Sequence, residues 1–157
     1  MNQPLVSVII VTFNASVYIL DALESIKEQS YSNIELIISD DCSTDNTVNV
    51  CLQWINRNEN RFVRVKLITS PVNTGVSQNV NRGLYEATGD WIKLLAGDDA
   101  LETDCIKLNL EYVYSNPNAK VLHSNSRYYR EVFSESTFMN ARRIIEEPLN
   151  NGPLSLD

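Results

Sequence analysis

The sequence predicts an α/β fold, a mostly parallel sheet with helices on both faces. Three observations predict it. Short valine- and isoleucine-rich runs such as VSVIIVTF and IELIIS recur along the chain. Between them lie segments of about ten to fourteen residues whose apolar positions repeat at helical spacing. Turn-forming residues punctuate the junctions, and strands that alternate with helices in this way require parallel crossovers.

The first strand is expected at Val6–Phe13, continuously apolar and β-branched, as a strand covered on both faces should be. Asn14 and Ser16 can cap the next helix, which carries Ile19, Leu23 and Ile26 on one stripe and Asp21, Glu24 and Lys27 among its polar residues. Ile34–Ser39 reads as a second buried strand. DDCSTDNT then offers several caps before a helix with Val48, Leu52 and Ile55, and asparagine-rich NRNEN ends that helix. Val63–Ile68 alternates only in part, which suits a strand nearer a sheet edge. SPVNTG turns into a third helix over Gly75–Ala87, and Trp91–Leu95 gives another buried strand. A fourth helix, from about Glu102 to Tyr114 with Ile106, Leu110 and Val113 on one stripe, must stop before Pro117. KVLHS and RYYREVF are expected as two later strands. Residues 1–133 are thus expected to form the core, and 134–157, with two prolines and a glycine near the end, an irregular tail or the start of a further region.

Composition excludes several functions. Apolar residues make up 43% of the 157, enough to fill the core of one domain. Twenty acidic against thirteen basic residues leave a formal charge of −7, which argues against a nucleic-acid partner. No run is long enough to span a bilayer, and MNQP is unlike the head of a signal peptide, so the expected address is cytoplasmic. Cys42, Cys51 and Cys105 make neither a disulfide framework nor a zinc set, and are read as reduced core or helix residues.

In open α/β sheets the ligand crevice lies beyond the carboxyl ends of the strands. The residues that follow the expected strands are Thr12 and Asn14, Asp40 and Asp41, Asn73 and Gly75, and Asp98 and Asp99. Adjacent carboxylates oppose each other's ionisation unless a cation, protons or donors compensate. Mg²⁺ or Mn²⁺ bridging to a diphosphate is the natural compensation, since such ions are held by one or two carboxylates plus substrate phosphates. Simpler roles stand beside this one: Asp40, Asp41 and Asp45 could cap a helix, and Asp98 and Asp99 could cap the helix near Glu102. His123 is more readily a strand residue than a base. Tyr128 and Tyr129 could stack on a sugar or simply suit an edge strand. TFNASV lacks the glycines of a dinucleotide-binding turn, and no P-loop sequence is present. The pattern of a response-regulator receiver also fails, because TSPVNTG follows the third strand where a phosphoacceptor aspartate would close it.

Taken in order, VSVIIVTFN, NIELIISDDCSTDNT, N.G.S, N.GL..A.GDWI and L.GDD resemble the N-terminal nucleotide-sugar-binding portion of the family 2 inverting glycosyltransferases, which have the Rossmann-like GT-A fold. The resemblance covers about Leu5 to Tyr114. It implies a metal-dependent transfer of sugar from a nucleoside-diphosphate sugar, a UDP-sugar being favoured, to a saccharide or lipid-linked acceptor, often in cell-surface polysaccharide synthesis. Contact with the inner face of the membrane follows if the acceptor is lipid-linked. It also implies that Thr12 lines the nucleotide pocket, that Asp41 hydrogen-bonds a uracil ring with Asp40 supporting the loop, and that Asn73 and Gly75 form the turn beside the nucleotide. Asp98 would lie by the ribose and first metal shell, and Asp99 would bind Mn²⁺ or Mg²⁺ between the donor phosphates.

Three departures matter. Val80 stands where relatives often have an arginine, and Ala96 where they often have a first aspartate. No later acidic pair matches the family's catalytic base: Glu146 and Glu147 sit beside Pro148 and are not assigned that role. The expectation is that the base and acceptor elements lie beyond Asp157 and that this chain holds the donor-binding half. A non-catalytic nucleotide-sugar-binding module or subunit is the alternative, with a sugar nucleotidyltransferase behind it.

Overall fold

In the computed structural model, which describes residues 3–122, 124, 126–129 and 138–139, four strands form one parallel sheet. They are β1 (Val6–Thr12), β2 (Ile34–Asp40), β3 (Arg64–Thr69) and β4 (Trp91–Ala96), in the order β3-β2-β1-β4. The helices are α1 (Ile19–Lys27), α2 (Thr47–Asn58), α3 (Val76–Glu86) and α4 (Cys105–Ser115). The chain divides at Asn118 and Ala119. Beyond that point the described elements are β5 (Tyr128–Tyr129) and β6 (Phe138–Met139), an antiparallel pair.

Strand periodicity separates the two faces of the sheet. Val6, Val8 and Ile10 of β1 join Ile34, Leu36 and Ile38 of β2 in one apolar cluster with Ile19, Leu23 and Ile26 of α1, Cys51 and Trp54 of α2, and Ile106 and Leu110 of α4. Each such side chain contributes about 1.5–3 kcal/mol by leaving water. On the opposite face α3 packs across β1 and β2, with Gly83 against Ile9 and Asn79 beside Ser39. Helices therefore cover both faces, as the alternation of elements predicts. Cys51 lies in this core, and burial pushes its thiol up to about 12. All three cysteines are free.

The same face as Ile9 also carries a buried acid. Ser7, Glu35 and Arg64 are register neighbours across β1, β2 and β3. Glu35 is 1% exposed. Its Oε1 accepts hydrogen bonds from Ser7 Oγ (2.5 Å), Thr88 N (2.5 Å) and Gly89 N (3.1 Å). Its Oε2 accepts from Thr88 Oγ1 (3.0 Å) and Arg64 Nε (3.0 Å), with Arg64 Nη2 at 2.8 Å. Burial alone would raise this carboxyl, but Ser7, Thr88 and Arg64 outweigh burial and hold it below the usual range.

Several elements differ from the sequence reading. Asn14 and Ser16 do not cap α1, which begins at Ile19 after a turn closed by Tyr18 N–H on Ala15 O at 2.9 Å. Asn14 instead takes a left-handed φ of 49° and spends its side chain on another loop. β4 is not buried on both faces: Ile92 and Leu94 are each 47% exposed, because α3 lies over β1 and β2 and leaves them uncovered. α4 starts at Cys105, about one turn later than Glu102, and ends ahead of Pro117 as expected. Lys120 to Leu122 are not in a strand, and the RYYREVF strand is described only at Tyr128–Tyr129. Phe138–Met139 is a strand within the stretch read as irregular. His123, Glu146 and Glu147 lie outside the described residues.

Candidate functional site

Parallel pairing brings the predicted site residues to one end of the sheet. Thr12 pairs with Asp40, and Val11 with Ala96, so the segments after β1, β2 and β4 leave the sheet side by side. The ends of β2 and β4 flank β1 and are therefore roughly 10 Å apart.

The loop after β2 is laced to the loop after β1. Asn14 Oδ1 accepts from Thr44 N (2.8 Å) and Asp45 N (3.3 Å), while Asn14 N donates to Ser43 Oγ (2.8 Å). Asp40, 1% exposed, accepts from Ser43 N at 2.8 Å and from the Ser43 hydroxyl. Asp45 accepts from Ser16 N (3.1 Å) and Thr47 N (2.9 Å). Burial opposes ionisation of Asp45, but the Thr47 and Ser16 donors prevail and hold it well below the ordinary carboxylate range. Asp40 and Asp45 thus organise the loops, in keeping with the simpler roles expected of them.

Asp41 ties this loop to the start of α3. Its Oδ2 accepts from Thr74 N (2.8 Å) and Gly75 N (2.7 Å), and its Oδ1 from Thr74 Oγ1 (2.7 Å) and Arg82 Nη2 (3.2 Å). The side chain is 4% exposed. Burial would raise its carboxyl, yet the Thr74, Gly75 and Arg82 donors hold it below the usual range. Asn73 Oδ1 also accepts from Gly75 N, at 3.1 Å. Gly75 has φ 84°, a conformation that side chains resist, and so turns its N–H onto Asp41 as α3 begins.

Arg82 is the functional candidate that the sequence reading missed. Its Nη1 donates to Asn79 Oδ1 (2.9 Å) and its Nη2 to Thr74 Oγ1 (2.9 Å) as well as to Asp41. Asn79 is 3% exposed, and its Nδ2 donates to Thr12 O at 3.2 Å while its Oδ1 accepts from Ser39 Oγ at 2.6 Å. Attention to position 80 missed it. Residues three apart on a helix share a face, so Asn79 and Arg82 together were the available signal.

Thr12 lies beneath the acidic turn. A Cβ on Gly97 would come within 2.7 Å of Thr12 Oγ1, so only glycine lets the chain pass here. Thr12 is 4% exposed, and its Oγ1 is a buried polar atom without a hydrogen-bond partner. Asp98 and Asp99 follow, in a turn closed by Asp99 N–H on Ala96 O at 3.1 Å. Both are exposed, and among the described residues neither carboxylate takes a hydrogen bond or an ion pair. Crowding of the Asp99 carboxyl and the Asp98 charge beside it raise Asp99 above the usual range, with Lys93 opposing. Among the described residues no three His, Cys, Asp or Glu side chains gather as a metal cage. Two unpartnered carboxylates fit the other kind of site, in which substrate phosphates complete the shell of a hard ion.

This geometry, a parallel sheet with an acidic turn after β4 and a polar cradle after β2, is that of a nucleotide-binding α/β domain. The family model described as Glycosyl transferase family 2 matches residues 7–153, and the chain belongs to that family. The matched fold is GT-A, in the N-terminal nucleotide-sugar-binding portion that the sequence resembles. An uncharacterized glycosyltransferase of Haemophilus influenzae is 38% identical over 116 residues, 74% of this chain and 45% of its own length. The chain spans less than half the length of the curated relatives it matches. S. aureus TarS, solved in complex with UDP-GlcNAc, is 25% identical with a TM-score of 0.65 over 72% of this chain and 32% of that one. The mannosyltransferase PcManGT from Pyrobaculum calidifontis, solved with GDP-Man and Mn²⁺, shares the fold at 24% identity and a TM-score of 0.67, over 72% of this chain and 33% of that one. GT-A proteins of this kind thus include one with a divalent ion. No helix among the described residues is long and apolar enough to cross a membrane.

Proposed function

We propose that this chain is the donor-binding portion of an inverting glycosyltransferase that takes its sugar from a nucleoside-diphosphate sugar, a UDP-sugar being favoured. The observation that carries this reading is the exposed, unpartnered Asp98–Asp99 pair, in a turn packed on Thr12 at the end of the sheet where the Asp41 cradle also lies. Asp99, with Asp98, would hold Mn²⁺ or Mg²⁺. When bound, that ion neutralises the charge that builds on the departing diphosphate. Asn73 and Gly75 shape the turn beside the nucleotide, and Asn14 braces the loop that carries Asp41. Thr12 supports Gly97 from below and fixes where the acidic turn leaves the sheet. The sugar goes to a saccharide or lipid-linked saccharide in cell-surface polysaccharide synthesis, at the inner face of the membrane in the lipid-linked case.

The test is calorimetric titration of the chain with uridine diphosphate, with and without Mn²⁺, repeated on Asp99→Ala. The expected result is Mn²⁺-dependent binding that weakens at least about tenfold in the variant. A folded wild-type chain that binds none of the uridine, guanosine and thymidine diphosphates with Mn²⁺ would overturn the assignment of Asp98 and Asp99.

A further inference from the structure

Asp41 has no acceptor capacity to spare. A carboxylate offers about four lone-pair positions, and Thr74 N, Thr74 Oγ1, Gly75 N and Arg82 Nη2 already fill four on a side chain that is 4% exposed. Two of these partners are backbone groups fixed by the turn into α3. A base N–H could reach Asp41 only by displacing one of them.

Arg82 is in the opposite condition. Three of the five N–H donors of a guanidinium go to Asn79, Thr74 and Asp41, which leaves Nε–H and one Nη1–H uncommitted on a side chain 22% exposed. Asp41, Thr74 and Asn79 hold the fork from three sides, so its direction is set before any ligand arrives. A fixed, charged donor pair selects acceptors: the carbonyl edge of uracil or guanine suits it, whereas the amino group of cytosine or adenine would set donor against donor.

We infer that Arg82 reads the base of the donor, favouring bases that present a carbonyl oxygen, and that Asp41 acts through Arg82 as a positioning residue. This rests on the donor-binding reading above and alters one expectation within it, that Asp41 itself bonds the ring. It also explains how a chain with Val80 keeps a cation at this end of the sheet: Arg82, on the next turn of α3, supplies it.

The experiment measures binding of uridine, guanosine, cytidine and adenosine diphosphates with Mn²⁺ to the wild-type chain, Arg82→Met and Arg82→Lys. The readout is the ratio of affinities within one sample, which a smaller folded fraction does not move. The wild type is expected to prefer a carbonyl base, uridine or guanosine, over its amino counterpart by about tenfold or more. In Arg82→Met this preference falls to within about threefold. Arg82→Lys keeps the charge but not the fork, and lands between. The opposite result is equally readable: if Asp41 bonds the ring, Arg82→Met frees its Oδ1 and the preference persists or widens, which overturns the inference. A wild type that binds with no base preference overturns it too, while the donor-binding reading stands. Absence of binding by any of the four diphosphates to the folded wild type removes both.

Discussion

Glu35 and the Asp98–Asp99 pair stand at opposite ends of the same parallel sheet and present acid in opposite ways. Glu35 is buried, and five hydrogen bonds and an arginine surround it. Asp98 and Asp99 are exposed and have no hydrogen-bond or ion-pair partner among the described residues. Their electrostatics diverge accordingly: the surroundings hold Glu35 below the usual carboxylate range and push Asp99 above it. An acid whose donors are supplied by its own fold serves the fold. One whose charge is left uncompensated awaits a cation from outside.

The largest effect should come from the satisfied end. Glu35→Ala removes the partner of Arg64, Thr88, Gly89 and Ser7 together and leaves them unpaired. The expected loss is about 3–5 kcal/mol in urea denaturation. Glu35→Gln keeps the shape and costs less. A loss below about 1 kcal/mol for Glu35→Ala would mean that water replaces the carboxylate, and that the two ends differ less than their geometry indicates.

The contrast was only partly legible in the sequence. β1 and β2 could be read because strands covered on both faces become continuous β-branched runs. The site end could be read because its acids directly follow strands and occur in a recognisable order. Glu35 was hidden inside IELIIS, where one acid does not disturb the apolar pattern. Its signal was lateral, since Ser7, Glu35 and Arg64 each fall at the same level of neighbouring strands, and register is visible only once strands pair. The uncovered side of β4 was illegible for the same kind of reason. Ile92 and Leu94 look like core residues in one dimension, and only the path of α3 decides that they are not covered. Asn14, read as a cap, shows that a good capping residue also suits a left-handed turn.

The two ends should also respond differently to acid. Glu35, Asp41 and Asp45 all have carboxyls lowered in the folded state. Their stabilisation is fully present above the unfolded values, 4.5 for Glu35 and 3.8 for the aspartates, and is lost as pH falls through the lower folded values. The urea midpoint should hold nearly constant from about pH 7 to 5 and drop below about 4.5. Glu35→Ala should make that drop shallower. An acid limb of unchanged steepness in the variant would assign the pH dependence to other carboxylates.

The smallest effect belongs to the exposed end, and there the sign carries the information. Asp99 is raised, so its ionised form is less favourable in the folded chain than in the unfolded one, and its charge costs stability at neutral pH. Asp99→Asn removes that charge and leaves no donor unpaired, because no donor was bonded to it. The variant should match or slightly exceed the wild type at pH 7 without metal, within about 0.5 kcal/mol. The difference should vanish as pH falls through the raised value, where wild-type Asp99 takes up its own proton. A metal-free destabilisation above about 1 kcal/mol would give Asp99 a structural role like that of Glu35, and the reason for placing a cation there would go with it. Stability unchanged while Mn²⁺-dependent nucleotide binding is lost is the pattern of a residue kept for its ligand, since the only partner such a variant loses is one the chain does not supply.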